Sequence, residues 1–199
     1  MIRFGINANP LLYRRVLILA SASPRRHELL LAAGIDHRVE SANIAELRHP
    51  DEPPTELVCR LAAEKAQAIN PGPNDIVLGA DTIVCLDGQI FGKPVNDADA
   101  AHMLRLLSGR THCVHTGIHL RSRSHATTDF ATTKVEFIQL TDREVERYTR
   151  SGEGRDKAGA YAIQGLASKF VRGIHGCYHN VVGLPVSLVY SHLKSLTYL

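Results

Sequence analysis

The chain has 199 residues, of which 44% are hydrophobic, and a formal net charge of +3. This length and apolar content predict one globular domain rather than a disordered or fibrous chain. The small positive charge suits an anionic small molecule, and without a basic stripe that carries interleaved aromatic residues we expect no nucleic-acid partner. No apolar run approaches the roughly 20 residues that span a bilayer, so we expect no membrane partner.

Neither a secretory signal nor a disulfide framework is recognisable. The four cysteines are scattered without CxxC pairs, which predicts reduced thiols and a cytoplasmic location. Residues 1–15 show no clear hydrophobic period and are treated as an unassigned N-terminal extension. Residues 16–199 are predicted to form a single domain.

The first element is a short apolar run, residues 16–20, followed by serines, a proline and two arginines. It predicts a buried strand and then a helix with Ser23 as N-cap and Pro24 at its first position, ending at Gly34. A strand that turns directly into a helix points several backbone N–H groups and the positive end of the helix dipole at one spot. Such a spot favours phosphate.

The side chains at this turn add to that preference. Arg25 and Arg26 supply positive charge and fork-like donors, and Ser21 and Ser23 supply hydroxyl groups. The alternative interpretation is an ordinary capped helix with two solvated arginines. This stretch alone does not decide between them.

A second strand is predicted over residues 37–42, and a helix with Thr55 as N-cap follows a polar loop that begins beyond Glu46. Apolar residues at three- and four-residue spacing form its core-facing stripe, namely Leu57, Val58, Leu61, Ala62, Ala66 and Ile69. Lys65 lies beside this stripe. Its spacing favours a flank residue whose ammonium group reaches solvent.

Residues 76–86 form a strongly apolar run that contains a single acid, Asp81. A strand that is apolar on both faces belongs in the middle of a sheet. An aspartate there is costly unless it is paired, hydrogen-bonded or metal-bound, so Asp81 is a candidate functional carboxylate. The alternative is a residue at a strand end that caps a turn. Asp87 and Gly88 then predict a hairpin whose returning arm brings Lys93 back towards Asp81.

The next elements are predicted to be structural. Asp97 is expected to cap a helix that ends at residues 108–109, and residues 110–121 and 126–140 suit two long strands. Thr141 and Glu144 have the spacing of a capping box. Two groups of histidine and cysteine, at residues 112–115 and 175–179, lack the paired spacing of zinc ligands and are not interpreted as metal sites.

A glycine-rich segment, residues 154–165, can bring its backbone close to a ligand, although its composition equally suits a surface loop. Gln164 offers both a donor and an acceptor. A uracil or thymine edge, with an N–H between two carbonyls, needs this combination.

Several of these stretches resemble, in order, the motifs of the Maf family of nucleotide pyrophosphatases. The matching segments are Ser-x-Ser-Pro-Arg-Arg at 21–26, Glu-Lys-Ala at 64–66, Gly-Ala-Asp-Thr at 79–82, Lys-Pro at 93–94, Gly-x-Thr-His-x-Val-x-Thr-Gly at 109–117, and the glycine-rich segment with its continuation at 176–185. The segment Asp-Lys-Ala-Gly-Ala-Tyr-x-Ile-Gln-Gly resembles the branch that acts on dTTP and UTP. The resemblance covers about residues 16–193.

The resemblance implies an α/β fold with a mixed twisted sheet flanked by helices, and two lobes around a central cleft, similar to inosine triphosphate pyrophosphatases. It implies a nucleoside triphosphate diphosphatase that forms a monophosphate and pyrophosphate, assisted by Mg²⁺ or Mn²⁺, and a homodimer. The catalytic residues it implies are Asp81, Glu46 and Lys65, with Glu46 and Asp81 as metal ligands. The substrate-binding residues are Ser21, Ser23, Arg25, Arg26, Thr82, Lys93 and Gln164.

Some alternatives stay open. Asp81 is either the general base or a ligand of the metal that generates the nucleophile. Ala45 stands where many members carry a second acid, and Ala162 stands where relatives often have glycine. Two other functions remain possible from the sequence: a nucleotide-binding regulator of cell division without catalysis, and a pyrophosphatase for 7-methyl-GTP or purine nucleotides.

Overall fold

The computed structural model describes residues 15–196 and residue 198, so the predicted extension lies outside the described residues except for Arg15. The strands are β1 (Leu17–Leu19), β2 (His37–Val39), β3 (Ile76–Leu86), β4 (Gln89–Phe91), β5 (Thr111–Arg121), β6 (Ala126–Phe137) and β7 (Val171–His175). The helices are α1 (Pro24–Ala32), α2 (Pro54–Gln67), α3 (Asp97–Leu107), α4 (Asp142–Arg150), α5 (Tyr178–Val182) and α6 (Val186–Ser195), with 3₁₀ turns at Ala158–Ala160 and Leu166–Phe170. Within these residues, no helix combines the length and apolar character that crossing a membrane requires.

The seven strands form one mixed sheet in the order β2-β1-β3-β5-β6-β7, with β4 also paired to β3. β1 runs parallel to β2 and β3, and the other pairs are antiparallel. On one edge of β3 the register with β1 reaches Leu78, and the register with β4 begins at Val84. Asp81 lies in the stretch of β3 between these two pairings. The α/β class and the central position predicted for this strand are confirmed.

Helices cover both faces of the sheet. The predicted stripe of α2 is buried, and part of it packs against Ile83 of β3. The larger cluster on the other face includes Leu30 of α1, Leu104 of α3, Val145 of α4 and Val189 of α6. The sheet therefore lies between α2 and the other helices.

The helix ends differ in detail from the sequence predictions. Ser23 occupies the N-cap position of α1, but its hydroxyl makes no capping hydrogen bond. The N-cap of α2 is Pro53, not Thr55, and that of α3 is Asn96, not Asp97; the Asn96 side chain accepts from the Asp99 N–H. Asn and Asp are about equally good caps, so adjacent Asn and Asp residues leave the helix start undetermined by one residue. The capping box at Thr141 and the hairpin at Asp87 are confirmed.

Two glycines let α2 lie directly against the sheet. A Cβ at Gly79 of β3 would be 2.0 Å from the Ala62 carbonyl oxygen, and one at Gly117 of β5 would be 2.4 Å from the Val58 carbonyl oxygen. Gly117 is also the direct cross-strand partner of Asp81. The absence of a side chain at Gly117 thus lets the helix approach the sheet next to Asp81.

We expect Gly117→Ala to lower the free energy of unfolding by about 2–3 kcal/mol, because the new methyl group meets helix backbone that cannot move aside. The measurement is chemical denaturation followed by circular dichroism. Gly173→Ala is the matched control, because a Cβ at Gly173 meets no atom within 4 Å. Equal stability of the two variants would contradict the close approach.

Candidate active site

A cavity of about 670 Å³ opens beside the middle of β3. Its lining includes all ten side chains singled out in the sequence, namely Ser21, Ser23, Arg25, Arg26, Glu46, Lys65, Asp81, Thr82, Lys93 and Gln164. They come from segments up to 143 residues apart in the chain. The structure therefore brings every predicted site residue to one cavity. The volume of this cavity lies within the range of small-molecule pockets.

One part of the cavity lining is a buried lysine that lies between two carboxylates. Lys65 Nζ lies 2.6 Å from Asp81 Oδ1 and 2.6 Å from Glu46 Oε1. The lysine side chain is 8% exposed, as is that of Asp81, whereas that of Glu46 is 46% exposed. The interpretation of Lys65 as a solvated flank residue is therefore wrong, because its ammonium group is buried in ion pairs.

The two carboxylates have pKa values shifted in opposite directions. Burial raises the pKa of Asp81, and the opposing charges of Lys65 and Arg26 do not cancel this effect. Burial also acts to raise the pKa of Glu46, but the Lys65 hydrogen bond and the charges of Lys65, Lys93 and Arg26 outweigh it, so that this pKa is lowered. Such divergence is typical of sites where two acids have different roles.

Arg26 is buried and bonded mainly to the protein itself. Its Nε donates to the Gly183 carbonyl at 2.8 Å, and one terminal nitrogen donates to Ser21 Oγ and to the Ala80 carbonyl, each at 2.9 Å. The other terminal nitrogen donates to Thr82 Oγ1 at 3.0 Å. A guanidinium has five N–H groups, so these bonds leave one that is not used by the described residues. Arg26 thus ties the α1 turn to β3 and to the loop after α5.

The remaining groups at the α1 turn are more available. Ser21 Oγ accepts from Arg26 and from the Ser23 N–H, which leaves its hydroxyl proton for another acceptor. Arg25 is 25% exposed and lies 3.7 Å from Asp156 of the glycine-rich segment. The uncapped first turn of α1 faces the same cavity. The arrangement provides donors for an anionic group.

Two of the other predicted side chains lie at exposed positions. Lys93 follows β4 and is exposed, and Gln164 is exposed within the glycine-rich segment. Thr82 Oγ1 is already within hydrogen-bond distance of Thr116 Oγ1 and the Gly183 carbonyl, as well as Arg26. Its hydroxyl is therefore tied mainly to the protein.

Four further polar side chains line the cavity although the sequence gave them no role: Arg48, Asp156, Lys157 and Tyr161. Lys157 and Tyr161 belong to the glycine-rich segment. The prediction that this segment comes close to a ligand is the sequence signal that could have identified them. His112, from one of the rejected metal groups, is buried and shares a 2.8 Å hydrogen bond with the Tyr161 hydroxyl. Burial lowers the pKa of His112 to about 4, so this histidine is neutral near pH 7.

The loop that carries Glu46 is fastened to α2 by a salt bridge. Arg60 donates to both carboxylate oxygens of Glu52, at 2.6 and 2.7 Å, and to the Leu47 carbonyl at 2.8 Å. The Arg60 hydrogen bond lowers the pKa of Glu52 to about 2, well below its ordinary value of 4.5. Arg60 therefore holds the residue next to Glu46 in place.

This salt bridge predicts an acid-sensitive contribution to stability. Because the pKa of Glu52 is lower in the folded state, the contribution is complete above pH 4.5 and is lost as the pH falls towards about 2. We expect Glu52→Gln to flatten the pH dependence of the melting temperature in that window. Glu56→Gln, in the first turn of α2, is the control, and an unchanged slope in Glu52→Gln would contradict the prediction.

The donor set fits a hard divalent cation shared with a phosphate ligand. Glu46 and Asp81 each direct one oxygen at the same ammonium group, so their carboxylates converge. The described residues contain no cluster of three or more His, Cys, Asp or Glu side chains able to hold a metal. Two carboxylates are nevertheless what Mg²⁺ commonly takes from a protein when phosphates and waters complete its shell.

The chain matches one family model and is similar to several known proteins. The family model for Maf-like protein matches residues 16–196. The chain is 48% identical over 179 residues to the dTTP/UTP pyrophosphatase of Koribacter versatilis (strain Ellin345), covering 89% of this chain and 93% of that protein. It is 45% identical over 181 residues to the dTTP/UTP pyrophosphatase of Bacillus cereus (strain AH820), covering 90% and 95%. Among solved structures, a HAM1 protein from Coxiella burnetii aligns with 90% of this chain and 98% of its own, at 13% identity and a TM-score of 0.47.

Proposed function

Because this chain belongs to the Maf-like family, we propose that it is a nucleoside triphosphate pyrophosphatase that hydrolyses dTTP and UTP. The products are the nucleoside monophosphate and pyrophosphate. The observation that carries the proposal is the convergence of the ten side chains on one cavity, with Lys65 between Asp81 and Glu46. The names of the two relatives support the pyrimidine substrates.

The phosphates are proposed to bind at the cationic end of the cavity. Arg25 and Lys93 provide positive charge, the first turn of α1 provides N–H donors, and Arg26 provides its remaining N–H. These groups would neutralise the charge that spreads over the phosphate oxygens during transfer and that develops on the leaving pyrophosphate. Ser21 adds a hydroxyl donor.

Asp81 is proposed to act on the attacking water. As the water oxygen bonds to the α-phosphorus, the bond from that phosphorus to the bridging oxygen breaks, and pyrophosphate leaves with the electron pair. A carboxylate in the position of Asp81 can take the proton of the water. Lys65 keeps the Asp81 carboxylate oriented through the 2.6 Å contact.

Glu46 and Asp81 are the residues we propose to hold Mg²⁺ or Mn²⁺. When bound, such an ion polarises phosphate oxygens and lowers the pKa of a coordinated water. Ala45 beside Glu46 leaves the loop with one carboxylate at this point. The ion would therefore depend on substrate phosphates for further ligands.

The decisive experiment is a substrate panel with product identification. Purified protein is incubated with Mg²⁺ and dTTP, UTP or 7-methyl-GTP in water enriched in heavy oxygen. We expect pyrophosphate from dTTP and UTP, with the heavy oxygen in the monophosphate. Preference for 7-methyl-GTP would overturn the pyrimidine assignment, and binding of nucleotide without any pyrophosphate would indicate a regulator without catalysis.

A homodimer and a cytoplasmic location, both implied by the sequence resemblance, remain predictions. Analytical ultracentrifugation tests the first, and cell fractionation tests the second. Neither is required for the chemistry proposed here, because all ten side chains belong to one chain.

A further inference from the structure

Two side chains that do not line the cavity, those of Tyr148 and Glu153, hold the backbone of the segment that carries Gln164. The Tyr148 hydroxyl of α4 accepts from the Ala162 N–H at 3.0 Å. Glu153, in the turn after α4, accepts from the Leu166 N–H through Oε1 at 2.9 Å. The two anchored N–H groups lie two residues before and two residues after Gln164.

The Tyr148 hydroxyl is fixed by the packing of its ring and stays protonated. Tyr148 is buried, and its ring packs edge-on against Phe170 at 5.5 Å between centroids. Burial raises the pKa of Tyr148, and the neighbouring Glu153 carboxylate raises it further, so the hydroxyl stays protonated. A protonated hydroxyl can still accept from the Ala162 N–H through its oxygen.

The local backbone is shaped to admit the carboxylate. A Cβ at Gly165 would be 1.9 Å from Glu153 Oε1, so a side chain there would displace the carboxylate from this position. The other oxygen, Oε2, is buried without a hydrogen bond to the described residues. The bond to Leu166 is therefore the main compensation for desolvating this carboxylate.

We propose that Tyr148 and Glu153 are positioning residues for base recognition, which set the conformation of residues 162–166 and thereby aim Gln164 at the pyrimidine. This inference rests on the proposed function and on the base-binding role that the sequence predicts for Gln164. A side chain that must present a donor and an acceptor to one base edge depends on a fixed backbone. The anchors supply that constraint without touching the substrate.

The test compares kcat and KM for dTTP and for 7-methyl-GTP in a set of variants. Tyr148→Phe keeps the ring packing and removes the hydroxyl. We expect its KM for dTTP to rise about five- to tenfold with kcat within about twofold, and the preference for dTTP to fall by a similar factor. Glu153→Ala is expected to behave alike, whereas Glu153→Gln, which keeps an oxygen that can accept from Leu166, should stay near the wild type.

The control is Glu146→Ala, which removes an equal charge from an exposed position on α4 and should change neither parameter. A double-mutant cycle gives the sharpest readout. In a Gln164→Leu background, Tyr148→Phe should cause no further loss of preference, because its effect passes through Gln164. A general loss of stability would instead lower activity towards both nucleotides in either background.

The outcomes separate the two proposals. If the wild type does not prefer dTTP, the proposed function fails and this inference falls with it. If the wild type prefers dTTP but Tyr148→Phe leaves the preference unchanged, or reduces it equally without Gln164, the positioning role is wrong while the proposed function stands. Melting temperatures identify any variant that fails to fold, and Tyr148→Phe then carries the test.

Discussion

Asp81→Asn is expected to lower kcat for dTTP hydrolysis by about a thousandfold while the fold is retained. Asparagine has nearly the same shape but cannot take a proton from water and is a poor ligand for a divalent ion. The substitution removes a buried carboxylate whose pKa is raised by its burial, so little stability depends on its charge. Lys65 keeps its contact with Glu46. The measurements are steady-state kinetics and thermal unfolding.

Asp87→Asn is the matched control for this experiment. Asp87 lies in the β3–β4 turn at a positive φ of 49°, which asparagine also tolerates, and its side chain is 73% exposed beside Arg110. We expect it to keep full activity. If Asp81→Asn retained more than about a tenth of the wild-type kcat, the catalytic role of Asp81 would be untenable.

The same variant distinguishes the two roles left open for Asp81. If the carboxylate mainly holds the cation, higher Mg²⁺ concentration should restore much of the activity, because the loss is then one of metal affinity. If it takes the proton of the water, the loss persists at saturating Mg²⁺.

Local signals predicted much of the fold because each depends on a few adjacent residues. The apolar run at residues 76–86, the turn at Asp87 and the capping box at Thr141 need no distant partner to be recognised, and all three are present. The starts of α2 and α3 were predicted less well. At α3, Asn96 and Asp97 compete for the same cap, whereas α2 begins at Pro54 and its N-cap residue, Pro53, has no capping side chain.

The site was predictable as a set of residues and much less as an arrangement. Nothing near Lys65 in the sequence indicates that it is shared by Asp81 and Glu46, which lie 16 and 19 positions away. The spacing of α2 even favoured solvent for this lysine. The close approach of α2 to the sheet at Gly117 brings these side chains together. It depends on β5, in which Gly117 lies 52 residues after Lys65. Long-range contacts of this kind leave no periodic trace in the sequence.

Arg26 is the residue whose role changes most between sequence and structure. The sequence predicts a donor to phosphate, whereas four of its hydrogen bonds go to the protein, one of them to the Gly183 carbonyl 157 residues away. Its side chain thus forms the part of the cavity wall where the α1 turn, β3 and the loop after α5 meet. Any contribution to phosphate binding is made from this fixed position.

Arg26→Met is therefore expected to destabilise the fold, by about 3–5 kcal/mol, because it leaves buried carbonyl and hydroxyl oxygens without their donor. For a chain of this length, that corresponds to a fall in melting temperature of about 10 °C. The adjacent Arg25→Met is the control. Arg25 has only a 3.7 Å contact with an exposed Asp156 and should cost less than about 1 kcal/mol.

For nucleotide binding we expect the opposite order of effects: Arg25→Met acts on binding, whereas Arg26→Met acts first on stability. Arg25→Met is expected to weaken binding of a non-hydrolysable triphosphate analogue without lowering the melting temperature, because its guanidinium is free to contact phosphate. For Arg26→Met the loss of stability comes first, and saturating analogue should recover part of it through preferential binding to the folded state. A melting temperature of Arg26→Met within about 3 °C of the wild type would mean that these hydrogen bonds do not hold the cavity wall together.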